Sequence, residues 1–443
     1  MGNGLTQKHT AKSLLVFALP TIVMMVFMSM YIMIDGIFVA NFVSPDALAG
    51  LNLVVPFTNI LASAAVLVGA GGSVVISRKL GGGKDQEAKA EFSAIVLITV
   101  LFGAVVTVLG FVFADPILNL LGTPESLYQV AYDYYSVLVL FAIPTLLQVQ
   151  FQYFFVAAGA PALGMTCVIA GGVTHIILDY VFILLFGMDI RGAALATGIG
   201  YSVPSVVGLS WFAFNRKGML NFTAPRIHWS TLRECANNGF GSTIINVAGG
   251  VVTLLFNRTI VVYLHEIGIS AASIVLYARF MLNSVLSGYS SGVAPVISFN
   301  YGRRDQEQVR FLFRTSLKVV LAGSALVYLS SLFLGDAIVS LFASGEPELT
   351  KLAQHGIFLF AFSYLFSGVN TFATSLFSAL NKGMTSAFMA CMNTFVFLTS
   401  AMFLLPKIGL GADGVWLAAP MAEMLSLCLT VFLLKKNQKQ FGY

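Results

Sequence analysis

Twelve long apolar runs, joined by short polar connections, set the first limit on this chain. They fall at about residues 14–40, 48–77, 90–114, 130–157, 161–187 and 191–214, then 236–264, 270–300, 312–335, 351–379, 384–406 and 411–434. As a helix, each is long enough to cross about 30 Å of hydrocarbon. Charged residues make up only 10% of the chain, against about a quarter in soluble domains. The expected fold is therefore an all-α polytopic membrane protein with twelve transmembrane helices. The segment Met1 to Ser13 is polar, and the apolar run after it is too long for a signal-peptide core, so it reads as the first span.

The basic residues orient the spans. With both termini placed on the cytoplasmic side, all of the 24 Lys and Arg fall in cytoplasmic segments except Arg191, Arg258, Arg279, Lys351 and Lys407. The positive-inside rule is then satisfied. This distribution accounts for the net charge of +5 without a nucleic-acid partner. Cys167, Cys235, Cys391 and Cys428 show no metal-ligand spacing, and three of them lie in apolar segments as small hydrophobes. Neither a disulfide nor a metal is expected.

The longest polar interruption, Asn215 to Cys235, divides the chain into residues 1–215, a cytoplasmic linker at 216–235, and residues 236–443. The two halves resemble each other. Val75-Ile76-Ser77 parallels Val296-Ile297-Ser298, and Asp85-Gln86-Glu87 parallels Asp305-Gln306-Glu307. Phe113-Ala114-Asp115 parallels Leu334-Gly335-Asp336, and Gly192-Ala193-Ala194-Leu195 parallels Gly414-Val415-Trp416-Leu417. Matches in this order at nearly constant offset indicate a duplication. Six spans per half make the repeats parallel, and transporters of that build hold their substrate between the halves.

Ionisable residues inside such runs are expensive and point to function. Asp35 sits in the first span and Asp179 in the fifth. His175 lies four residues before Asp179 and so shares its helix face, as Tyr31 does with Asp35. Gln148 and Gln152 on span 4, and Asn52, Asn59 and Ser63 with Pro56 on span 2, form further polar stripes expected to face a shared cavity. Two carboxylates in a dry pocket can bind and release protons near neutral pH, as a proton-driven exchanger requires. His175 would be either a third proton carrier or a neutral imidazole orienting Asp179. Pro20 would either kink the helix that carries Asp35 or ease its entry into the membrane.

The C-terminal half reads as lacking this acidity. The repeat positions of Asp35 and Asp179 fall near Phe256-Asn257 and Ala401. Its polar stripes include Asn257, Arg279, Asn283 and Asn370, with Arg258 and Arg279 expected as structural ion-pair partners in preference to an anion site. No P-loop, HExxH, Asp-rich prenyl-diphosphate or GxSxG motif is present, which disfavours an ATP-driven pump or a membrane-embedded transferase or hydrolase.

The chain resembles the multidrug and toxic compound extrusion (MATE) family, in its DinF-like and MepA-like bacterial branch. The resemblance is carried by Pro20 through Asp35 to Asn41, Gly69 to Leu80, Pro295 to Gly302, and Asp179 through Gly192 to Thr197. It implies two pseudo-symmetric six-helix lobes around a central cavity, working by alternating access in the bacterial cytoplasmic membrane. It further implies export of cationic or amphipathic small molecules against H⁺ or Na⁺, with no other cofactor, by a monomer. By position, Asp35 and Asp179 match that branch's ion-coupling carboxylates, Pro20 its helix-bending proline, and Thr197 a hydroxyl near the acidic pair. His175 and Gln152 stand where or near where the branch has Asn. The alternative within the superfamily is a flippase for lipid-linked oligosaccharides or cell-wall precursors, which usually carries a more basic cavity than Arg258 and Arg279 supply.

Overall fold

Backbone donors and acceptors in hydrocarbon can be satisfied only within the chain, and a helix does this locally. The computed structural model describes residues 5–226, 228–342 and 346–441. Side chains at 32–37, 39–41, 45, 48, 254, 257, 266, 338, 341–342, 439 and 441 lie outside the description. Among the described residues there are helices and no strands.

The first half comprises α1 (Ala11–Phe42), α2 (Pro45–Gly81), α3 (Asp85–Val112), the short α4 (Ala114–Leu120), α5 (Tyr128–Leu140), α6 (Ala142–Ala157), α7 (Pro161–Asp179) and α8 (Asp189–Phe214). The second comprises α9 (Trp229–Gly302), α10 (Gln306–Phe342), α11 (Pro347–Ala361), α12 (Tyr364–Ala379), α13 (Gly383–Cys391), α14 (Thr399–Leu404) and α15 (Gly411–Phe441). The helix α9 is two spans, Trp229–His265 and Ile267–Gly302, broken at His265. Among the described residues, ten helices are long and apolar enough to cross a membrane. Two bent pairs bring the number to twelve: one is Glu125–Leu140 with α6, at 60°, and the other α11 with α12, at 52°. On α3, Leu97, Leu101, Val105, Val108 and Val112 form an exposed apolar stripe at helical spacing. Such a stripe suits hydrocarbon, not water.

The chain packs as two compact units. One comprises Phe27–Gly239 with the first residues up to Gln7, the other Lys8–Val26 with Phe240–Tyr443. These differ from the sequence halves in two places, each with a local cause. The start of α1 belongs to the second unit because Gly288 and Gly292 leave room for it. A Cβ on Gly288 would stand 2.7 Å from the Ile22 Cα, so the two backbones touch where a larger residue would part them. Pro20 lies inside this segment, and α1 runs through it as one helix.

The second difference is the linker, which is bound to the first unit. The Phe222 ring stacks on Phe92, the Thr223 amide donates to Ser93 Oγ, and the Arg226 amide donates to the Ala90 carbonyl. At the start of α9, Glu234 pairs with Arg78 at 2.7 Å. Thr231 donates to the buried carboxylate of Glu91, whose two oxygens also accept from Lys79 Nζ at 2.6 Å. Glu87 is the second acidic partner of Lys79, at 2.7 Å. Removing one member of a buried pair strands the other, a loss of about 3–5 kcal/mol. Glu91→Ala should therefore lower the thermal unfolding midpoint in detergent far more than Lys84→Ala, a change at an exposed lysine; equal effects would show that this network does not hold the linker.

Candidate functional site

Helices α7 and α8 meet at glycine. A Cβ on Gly171 would lie 2.6 Å from the Gly200 carbonyl oxygen, and one on Gly200 would lie 2.8 Å from the His175 Cβ. With no side chains between them, the backbones approach closely enough for a histidine on one helix to reach a hydroxyl on the other. His175 Nε2 lies 3.1 Å from Thr197 Oγ1 and 3.2 Å from Asp179 Oδ2. The Thr197 hydroxyl donates to the Ala193 carbonyl at 2.9 Å, which leaves its oxygen to accept. Nε2 then carries the proton and shares it between Thr197 and Asp179. Asp179, His175 and Thr197 are all buried, Asp179 with only 1% of its surface exposed.

The Tyr31 ring meets the imidazole edge-on, at 5.9 Å and 81°. A small, partly open pocket lies beside this group, lined by Tyr31, Gln148, His175, Tyr201, Pro204 and neighbouring glycines. Gln152 donates to Gln148 Oε1 at 3.0 Å and so fixes the amide that faces the pocket. Directly after Asp179 the helix widens into a π segment, Tyr180–Leu185, closed by the Phe186 amide bonding the Val181 carbonyl five residues back. Such segments are frequent at functional sites because they re-aim side chains against the regular helix.

The structure thus brings together Tyr31, Gln148, Gln152, His175, Asp179 and Thr197. Asn52 is exposed, together with Pro56 and Asn59, and makes none of these contacts. The side chains of Asp35 and Asn257 lie outside the described residues.

In the second unit three expectations are revised or extended. Arg279 lies over the Phe360 ring at 6.0 Å and, among the described residues, forms no ion pair. Arg258 is exposed, and it too has no ion pair among the described residues. The acidity thought absent is supplied by Glu423, halfway along α15. Its Oε2 accepts from Asn370 Nδ2 at 2.7 Å and its Oε1 from Asn393 Nδ2 at 3.1 Å. Asn283 lies apart from this group, accepting from Ser367 at 3.1 Å. Repeat alignment misses Glu423 because the acid sits on a different helix from either repeat position. A carboxylate in the interior of the apolar run 411–434, ten residues past Asp413 at its start, was the signal available.

Two duplicated sets of membrane-crossing helices, with an ionisable group buried among them, define a secondary-transporter architecture. The MatE family model matches residues 20–181 and again 243–403, so the chain belongs to this family of transporters. The two matches start 223 residues apart (243 − 20), close to the spacing of the sequence parallels. Among curated relatives, a "FAD transporter" of Shewanella oneidensis is 25% identical, with 96% of this chain and 94% of that protein covered. The "Multidrug export protein MepA" of Staphylococcus aureus is 23% identical over the same shares. A crystal structure of MATE in complex with MaL6 superposes with a TM-score of 0.93 at 18% identity, covering 100% of this chain and 99% of that one. An outward-facing multidrug resistance MATE transporter of the MOP superfamily gives 0.93 at 19%, with the same coverage.

The glycine contact is open to test. Gly200→Val must push apart α7 and α8, an overpacking cost of about 1–3 kcal/mol. A lower unfolding midpoint is expected for this variant but not for Gly249→Val, since Gly249 has open space at its Cβ; equal midpoints would contradict the packing described.

Proposed function

We propose that this protein is an antiporter that exports cationic or amphipathic compounds by alternating access, driven by H⁺ entering at Asp35 and Asp179. The observation that carries the reading is the buried triad of Asp179, His175 and Thr197. Asp179 accepts from Nε2–H while ionised. Once protonated at Oδ2 it becomes a donor, and two donors cannot share one short contact. Either the carboxyl turns away, or the imidazole moves its proton to Nδ1, accepts from the carboxyl at Nε2 and no longer donates to Thr197. Proton occupancy is thereby converted into a change of geometry beside the pocket, next to a π segment that can tighten into regular helix. His175 holds or relays the proton at Nε2, and Thr197 offers that proton an alternative acceptor.

The pattern of Lys and Arg supports a bacterial cytoplasmic membrane setting with both termini inside. The name of the S. aureus relative supports multidrug export, whereas that of the S. oneidensis relative raises FAD, an anion, as a rival substrate. The flippase reading has no observation in its favour.

Proteoliposomes loaded with a fluorescent cationic dye, under an imposed pH gradient and separately a Na⁺ gradient, distinguish the couplings. Dye movement should follow the pH gradient and vanish in Asp179→Asn and in Asp35→Asn. Undiminished proton-driven movement by Asp179→Asn would overturn the reading, and FAD moving in place of the dye would replace the substrate class.

A further inference from the structure

Glu423 stands twelve residues after Gly411 and twelve before Lys435. At about 1.5 Å per residue it is ~18 Å from each, near the middle of a ~30 Å hydrocarbon layer. A carboxylate there is kept only at a cost, and its surroundings show a built site. Asn370 Nδ2 donates to both the carboxylate and the backbone carbonyl of Glu423, at 2.7 and 2.9 Å. Behind it, Thr430 donates to Asn370 Oδ1 at 2.8 Å, so the amide can present only its N–H side to the acid. Asn393, which donates to the other oxygen, is carried on a second π segment, Met392–Leu398. Both units thus place a carboxylate beside a π segment, though on different helices.

Neither donor to Glu423 carries a charge, and among the described residues no Lys, Arg or His pairs with it. Its charge is held in place but not neutralised. Asn370 is buried, whereas Glu423 and Asn393 remain partly exposed, so a ligand can reach the carboxylate.

We propose that Glu423, held by Asn370 and Asn393, is a second binding site, for a monovalent organic cation such as a quaternary or protonated amine. A hard metal ion would need several oxygen ligands. Here the neighbouring amides turn N–H groups toward the acid, and the one amide oxygen fixed in place is engaged by Thr430. A large cation with weak hydration needs only the single negative charge and an apolar surround. One turn away on the same helix face stand Ala419, Pro420 and Leu427, with Ser426. The site belongs to the second unit and shares no residue with the Asp179 group, and only the choice of ligand class rests on the export reading.

The test is binding to the purified protein in detergent with no ion gradient, so its failure is distinct from failure of coupled transport. Ethidium and an uncharged dye of similar size are titrated by fluorescence anisotropy. Glu423→Gln should weaken ethidium at least tenfold and leave the neutral dye unchanged, whereas Glu423→Asp should recover part of the loss. A merely structural hydrogen-bonding role would affect both dyes alike. Equal ethidium binding by Glu423→Gln and wild type overturns the proposal. If the Gln variant does not fold, the wild-type protein decides: saturating ethidium should shield the Glu423 carboxyl from carbodiimide labelling, read by mass spectrometry, and unchanged labelling overturns the site. Competition by Na⁺ at ethidium's expense, with the neutral dye unaffected, would replace the organic cation with a metal ion.

Discussion

A polar group placed in hydrocarbon must find its partner within the protein, because no water is there to serve. For the backbone, the answer is the helix. For side chains, it is a small set of contacts that each need particular neighbours. Asp179 has His175 on its own helix and, through it, Thr197 on the next. Glu423 has Asn370 and Asn393, from two other helices. Glu91 has Lys79 and Thr231. Each of these acids is tied to a different part of the fold, and in each case the tie reaches another helix.

Close approach of helices makes those ties possible. Within a membrane there is little hydrophobic drive to press helices together, so small residues at the interface matter more than in water. Gly171 and Gly200 let α7 and α8 touch backbone to backbone, and His175 is the side chain that uses the gap. Gly288 and Gly292 do the same for the start of α1, which is why that segment packs with the second unit although it opens the chain.

Much of the fold was legible. Run length placed the spans with starts off by up to seven residues, as at Trp229 against 236, because the hydrocarbon thickness imposes one length scale on all of them. The bend within the fourth and tenth spans was not legible, since a break between Leu140 and Ala142 leaves no interruption in hydropathy. The grouping of His175 with Asp179 followed from their four-residue spacing. Pairing with Thr197 did not follow from any spacing, as it depends on which faces of α7 and α8 meet. Glu423 shows the opposite failure. The residue was in plain sight, but the repeat directed attention to the wrong helices.

By itself, then, the sequence determined an all-helical, duplicated membrane protein with acids where acids are costly, because hydrophobicity and charge act locally along the chain. Only the tertiary structure decided which partners those acids have: Thr197 and His175 for Asp179, Asn370 and Asn393 for Glu423, Lys79 and Thr231 for Glu91. The physical reason is that a hydrogen bond requires contact within about 3 Å. Contacts of that length between helices depend on how the helices pack, through glycines whose role no single helix reveals.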